Sequence, residues 1–167
     1  MTAIKESPEG RSLTLATFDE GEIFWGLAFF IEDAPMPATL MATAECELML
    51  WHRDNIMPFI MSDGNFSWEL SRLAIQRAQF ASEIVEQLAF QPLTERVARL
   101  LLEQYPANKS VVPRHLTLDE IASRVGTTRE IVCRILYRFA ERGAIQINRT
   151  DFTFLNRSLL EEQTHRG

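Results

Sequence analysis

Residues 117–142 read TLDEIASRVGTTREIVCRILYRFAER, and this stretch decides the architecture. Thr117 is a helix-capping residue with Glu120 three positions on, the spacing of a capping box. Leu118, Ile121, Ala122 and Val125 then fall on one helical face. Gly126 stands where that helix must stop, because glycine accepts the positive φ of a helix-terminating turn. Thr127 or Thr128 caps a second helix, with Ile131, Val132, Ile135, Leu136 and Phe139 inward. The pattern is helix, tight turn, longer helix.

The second helix carries Arg129, Glu130 and Arg134 outward near its N-terminal end. In a helix-turn-helix that end touches base edges. Arginine bonds bidentately to guanine O6 and N7, and glutamate accepts from cytosine N4. The hydroxyls of Thr117, Thr127 and Thr128, with the helix-start amides, suit phosphate oxygens. A β-hairpin is predicted next, residues 144–147 and 152–155 around Asn148-Arg149-Thr150-Asp151. A hairpin in that place is the wing of a winged helix, with Arg149 at its tip for a phosphate. The bland alternative is a helical hairpin with a solvated charged face.

Upstream, residues 94–104 predict a helix capped by Thr94 with Val97, Leu100 and Leu101 inward, and residues 105–115 a loop with two prolines. Gln91-Pro92-Leu93 marks a joint, since proline loses an N–H and clashes with the preceding turn. From residue 66 to about 90 there is no Gly or Pro. Phe66, Leu70, Leu73, Arg77, Phe80, Ile84 and Leu88 recur there at helical spacing, a seam along one long helix. Its partner is either this chain's own first half or, in the sharper reading, a symmetric second copy. The copy reading expects Leu73→Glu with Phe80→Glu to give monomers.

The first fifty residues read as short strands: 11–18 alternate apolar and polar, and 38–51 support one or two more. Residues 53–61 suggest a short helix interrupted near Pro58. Charge divides unevenly over the 167 residues. Residues 1–90 hold 5 Lys and Arg against 14 Asp and Glu, and residues 91–157 hold 11 against 7. An acidic first half and a basic second half suggest two modules with different partners. The longest apolar run, 23–31, is too short to span a bilayer, and the first twenty residues hold no signal pattern. Two distant cysteines, Cys46 and Cys133, exclude a disulfide framework or cysteine-ligated cluster, and fit a reducing cytoplasm. His52, His115 and His165 share no metal-ligand spacing, and no catalytic constellation or Gly-rich phosphate loop is present, so no enzyme is predicted.

The chain resembles the Crp/Fnr family of bacterial transcription regulators over nearly its whole length. Residues 20–24 (EGEIF) look like the strand-turn leading into that family's cyclic-nucleotide pocket, and Leu88-Ala89-Phe90 like the end of its dimerisation helix. Residues 94–101 look like its next helix. Residues 117–134 match its helix-turn-helix, including Gly126, Thr128, Arg129, Glu130 and Arg134. The resemblance implies an α+β fold: a partial β-roll of the cyclic-nucleotide-binding jelly-roll type (1–62), a long dimerisation helix (63–90) and a C-terminal winged helix-turn-helix (91–167). It implies a cytoplasmic homodimer on double-stranded DNA, Arg129, Glu130 and Arg134 reading a half-site like TGTGA, and the acidic half turned away from DNA or towards RNA polymerase.

Two departures limit the resemblance. Trp25-Gly26-Leu27 stands where the family has Gly-Glu-Leu, and Met36-Pro37 where it has Arg-Ser. The ribose-binding Glu is thus Gly26 and the phosphate-binding Arg is Met36, while Ala81-Ser82 replaces Thr-Ser near the adenine. A buried phosphate without its arginine loses roughly 1.5–3 kcal/mol or more. Control by cyclic AMP is not expected, and no cofactor is predicted. An apolar effector in the altered pocket, or simple filling of that pocket, are the alternatives. The roll also looks shortened at its start, which leaves strand edges open. From another class, the competing reading is a winged-helix protein-interaction module.

Overall fold

The structure is a computed structural model that describes residues 1–24, 30–31, 34–105 and 109–164. It divides into two compact units, one of Met1–Lys5 with Leu15–Val85, the other of Glu6–Thr14 with Glu86–Gly167.

β1 (Thr2–Glu6) pairs antiparallel with β3 (Thr39–Met41), Ala3 opposite Leu40. β2 (Ser12–Thr17) flanks β1 on its other edge, so the order is β2-β1-β3. Phe18 is buried beneath, and the edge of Phe24 meets it at 5.4 Å. The expected strand at 11–18 is present as β2. The region 38–51 forms only the three residues of β3: β1 offers partners as far as Thr2 opposite Met41, and a strand without a partner leaves its backbone groups to water. β1 itself was not expected from the sequence.

Helix α1 (Arg53–Ser62) runs through Pro58 without the expected break. One proline removes a single hydrogen bond, and here the helix turns past it. α2 (Gly64–Phe90) begins where Asp63 Oδ1 accepts from the amides of Asn65 (2.9 Å) and Phe66 (3.1 Å). Its 27 residues extend about 40 Å. No residue of α2 is buried. Phe66, Leu70, Leu73, Arg77 and Ile84 are half-buried within the single chain, while Phe80 and Leu88 are exposed. Arg77 faces its own unit: its guanidinium lies 4.8 Å over the Phe18 ring and 3.9 Å from Glu22.

The second unit is built on α3 (Leu93–Gln104), α4 (Leu118–Val125) and α5 (Arg129–Glu141), closed by α6 (Arg157–Thr164). A three-stranded sheet completes it, β4 (Val111–Pro113), β6 (Asp151–Phe154) and β5 (Ile145–Ile147), in the order β4-β6-β5. Val97, Leu101, Tyr105, Ile121, Val132, Leu136, Phe152 and Leu160 are its fully enclosed centre. Tyr105 meets Phe152 edge to face at 5.6 Å. α6 is anchored by Arg157, whose Nη2 donates to the carbonyls of Leu102 (2.7 Å) and Tyr105 (2.8 Å) at the end of α3.

Four expectations need correction here. α3 starts at Leu93 with Pro92 at the cap, so Thr94 lies inside the first turn; the ring has set φ to −54° ahead of it. The stretch 105–115 contains a strand, β4, which pairs across the sheet with Val112 opposite Phe152. The hairpin strands are 145–147 and 151–154: the first begins one residue later than expected and the second lies one residue earlier. α6 was not expected, because its sequence is largely polar and only Leu160 is buried.

Candidate nucleic-acid interface

The capping box forms as its spacing predicts. The Thr117 hydroxyl accepts from the Glu120 amide at 3.2 Å, and the Thr117 amide donates to Glu120 Oε2 at 2.7 Å. The same hydroxyl donates to Glu120 Oε2 at 2.8 Å. Both donors of Thr117 are therefore occupied inside the protein, and it meets a phosphate only by exchanging one of them.

Gly126 ends α4 at φ 69° and ψ 47°, its N–H bonded to the Ala122 carbonyl. A Cβ there would sit 2.8 Å from Leu88 Cδ2 and 3.4 Å from Leu13 Cδ1. Glycine is thus required for the left-handed backbone, while an added Cβ would need the flexible end of the Leu88 side chain to move aside. Gly126→Ala is expected to lower stability by about 1–3 kcal/mol, the left-handed penalty plus displacement of Leu88. Gly126→Asn, which tolerates that backbone better, should fall less from the left-handed term. Urea denaturation of the two variants beside the wild type checks both size and order.

The turn delivers α5. Thr128 is its N-cap by backbone, though its hydroxyl makes no capping bond; Thr127 precedes it, half-buried. Val132, Ile135, Leu136 and Phe139 face the core, so Glu130, Arg134, Tyr137 and Arg138 face out. Arg129 and Glu130 lie in the first turn and Arg134 one turn on, all exposed. The Glu130 carboxyl is held below the usual carboxylate range, first by its own backbone N–H and next by the Thr128 hydroxyl, with Arg129 and Arg134 adding smaller pulls. It therefore stays an acceptor at neutral pH. Arg129 Nη1 donates to Asp119 Oδ2 at 3.4 Å, an ion pair between the first turns of α4 and α5. Tyr137, Arg138 and Asp119 were not singled out from the sequence; the first two carry a signal in their place on the outward row, and Asp119 carries none.

The wing tip places Arg149 in the β5–β6 turn, exposed. The turn is tied by Asn148 N–H to the Asp151 carbonyl at 3.0 Å, and Arg114 Nη1 reaches the Asn148 carbonyl at 3.4 Å from across the sheet. The hydroxyl, amide and guanidinium groups of this face suit a polyanion with readable base edges.

The sensor positions give a different picture. Trp25, Gly26 and Leu27 lie outside the described residues. Met36 and Pro37 are exposed ahead of β3, and Ala81 and Ser82 are exposed on α2. A thioether at Met36 cannot pair with a phosphate, so this position does not fit a cyclic nucleotide. No helix among the described residues is long and apolar enough to cross a membrane.

The second unit has the fold of a winged helix-turn-helix. Residues 95–163 match the Crp-like helix-turn-helix domain. The chain is 28% identical over 157 residues to the "Cyclic AMP receptor protein" of Thermus thermophilus, covering 92% of this chain and 70% of that one. It is 26% identical over 155 residues to the "cAMP-activated global transcriptional regulator Vfr" of Pseudomonas aeruginosa, covering 88% and 72%. Among solved structures it is similar to a Crp/Fnr transcriptional regulator of Thermus thermophilus, with TM-score 0.74, 25% identity, and coverage of 99% of this chain and 84% of that one. A Crp/Fnr regulator of Eubacterium rectale shares the fold at TM-score 0.81 and 22% identity, with 98% and 76% covered.

Proposed function

We propose that this chain reads a palindromic, TGTGA-like DNA site as a homodimer in the cytoplasm, and does so without cyclic AMP. The observation that carries the DNA reading is the exposed end of α5, where Arg129, Glu130 and Arg134 stand together after the Gly126 turn. Independence from cyclic AMP is supported by Gly26 and Met36 at the positions of the ribose and phosphate contacts.

The dimer is proposed along α2. Opposite the half-buried row beginning at Phe66 runs a second one: Trp68, Ser71, Ile75, Ala78, Ser82, Val85 and Ala89, spaced alternately three and four residues apart. Every member is exposed in the single chain, Trp68 at 70%, Ile75 at 69% and Val85 at 65%. Small residues between larger ones let two helices approach closely, and the three-four alternation keeps the row on one seam. This open row, rather than the one from Phe66 to Leu88, is the proposed contact with a second copy. Two α5 helices related by a two-fold then enter successive major grooves about 34 Å apart.

The test is fluorescence anisotropy with a duplex holding TGTGA and TCACA against a scrambled duplex, at two salt concentrations and without cyclic AMP. The proposal expects a salt-sensitive preference for the palindrome. Arg129→Ala should lose about 1–3 kcal/mol on the palindrome and flatten the preference at one base pair. Equal loss on both duplexes would make Arg129 a phosphate contact instead. Binding that is weak, equal on both duplexes and indifferent to salt would point to a protein partner and overturn the reading.

A further inference from the structure

We infer that Asp119 is a positioning residue for base recognition: it holds Arg129 so that the guanidinium's remaining donors face a guanine. The inference rests on the DNA reading above and adds a residue to it. Asp119 lies in the first turn of α4 and Arg129 opens α5, ten positions later, yet Asp119 Oδ2 and Arg129 Nη1 are 3.4 Å apart. The Gly126 turn is what brings these two first turns together.

The chemistry of the pair is specific. A guanidinium has five N–H donors in a planar fork. The bond to Asp119 uses Nη1. Nη2 and Nε are left for the O6 and N7 of a guanine, which is a bidentate edge. Both side chains are largely exposed, 60% for Arg129 and 69% for Asp119, so the bond contributes little to stability. Its effect lies elsewhere. A free arginine samples many rotamers and loses them on binding a base; one already tethered loses fewer.

The neighbouring acids do not duplicate this. Glu120 is taken up by the Thr117 capping box, and Glu130 is bonded to its own backbone and to Thr128. Asp119 is also an anion on a face proposed to meet phosphates, so it should weaken sequence-independent attraction. An acid in this place reduces general attraction to any duplex alike, while the tether sharpens the reading of one base pair, and only the tether changes discrimination.

Those two effects separate by substitution. Asp119→Asn and Asp119→Ala remove the same charge, but Asn keeps an acceptor oxygen for Arg129. Anisotropy titrations would use the palindrome, its single-base variants and the scrambled duplex. Both variants should bind the scrambled duplex slightly more tightly than the wild type. Asp119→Ala should lower the palindrome-to-scrambled ratio about threefold to tenfold, the cost of ordering one long side chain. The lost preference should fall at the base pair that Arg129→Ala flattens. Asp119→Asn should keep more of the ratio, and Asp119→Ala made in an Arg129→Ala background should change it no further. Wild-type base preferences in Asp119→Ala, with both duplexes tightened equally, would overturn the inference and leave the DNA reading standing. A wild type with no preference for the palindrome would sink the DNA reading, and the inference with it.

Discussion

Ala78→Glu is expected to convert the proposed dimer to monomers and to weaken binding to the proposed palindrome by two orders of magnitude or more. Ala78 lies at the middle of the open row on α2, between Ile75 and Ser82. Across a two-fold axis the new carboxylate faces its own copy, and two like charges meet in a closing apolar seam. The single chain should tolerate the change, because Ala78 is exposed and glutamate is a good helix former. Circular dichroism and the urea midpoint at high dilution should therefore stay close to wild type. The DNA effect follows from linkage: joining two half-site contacts raises affinity by about 10²–10⁴ without any new contact, and a monomer forfeits that gain. Sedimentation velocity reads the first expectation and anisotropy the second. Leu73→Glu with Phe80→Glu is the informative comparison. Leu73 is half-buried within the chain, so that pair should lower folding stability. A dimer that survives Ala78→Glu but dissociates on the Leu73 and Phe80 changes would return the seam to the row from Phe66 to Leu88.

Phe152→Ala is expected to remove about 3–5 kcal/mol of stability, a large fraction of what a domain of this size possesses. Phe152 is wholly enclosed. Its ring meets Tyr105 edge to face, carries the Arg114 guanidinium 5.1 Å from its centroid, and belongs to the central strand of the sheet, opposite both Val112 and Ile147. Truncation leaves a cavity bordered by two other strands and by α3, none of which collapses easily. The thermal midpoint should fall by about 10 °C or more. Arg149→Ala, a few residues away at the exposed wing tip, should leave the midpoint unchanged. If Phe152→Ala melted within a degree or two of wild type, the wing would be a loose flap and its place in the core would be wrong.

Legibility in the sequence followed the range of the interactions. The capping box at Thr117 and Glu120, the left-handed Gly126 and the inward face of α5 are local, each decided within four residues, and each stands in the structure where the residues place it. β4 was not legible, because it is three residues long, ends in Pro113, and finds its partner forty positions later at Phe152. α6 was hidden by its polarity. The open row on α2, proposed above as the dimer contact, is faint in the sequence because Ser71, Ala78 and Ser82 are small and two of them polar. Phe66, Leu70 and Leu73 are large and apolar, and the brighter pattern was the one already half-covered by the chain. Within the candidate site, Arg129, Glu130 and Arg134 were visible from residue type and position. Thr117 has the right chemistry but has committed its donors to Glu120. Asp119 has no signal at all until the turn brings it to Arg129.

The β4–β6 ladder also sets how this half of the molecule comes and goes. Val112 opposite Phe152 clasps residues 112–152 into one loop, with α4, α5 and β5 inside it. The entropy of closing that loop is met once, at the clasp, and not separately by each element. The elements inside are gained and lost largely together, as one cooperative unit. A fragment that presents α5 without the wing beside it has little reason to persist, so the reading head works as an indivisible tool whose parts cannot be engaged one at a time.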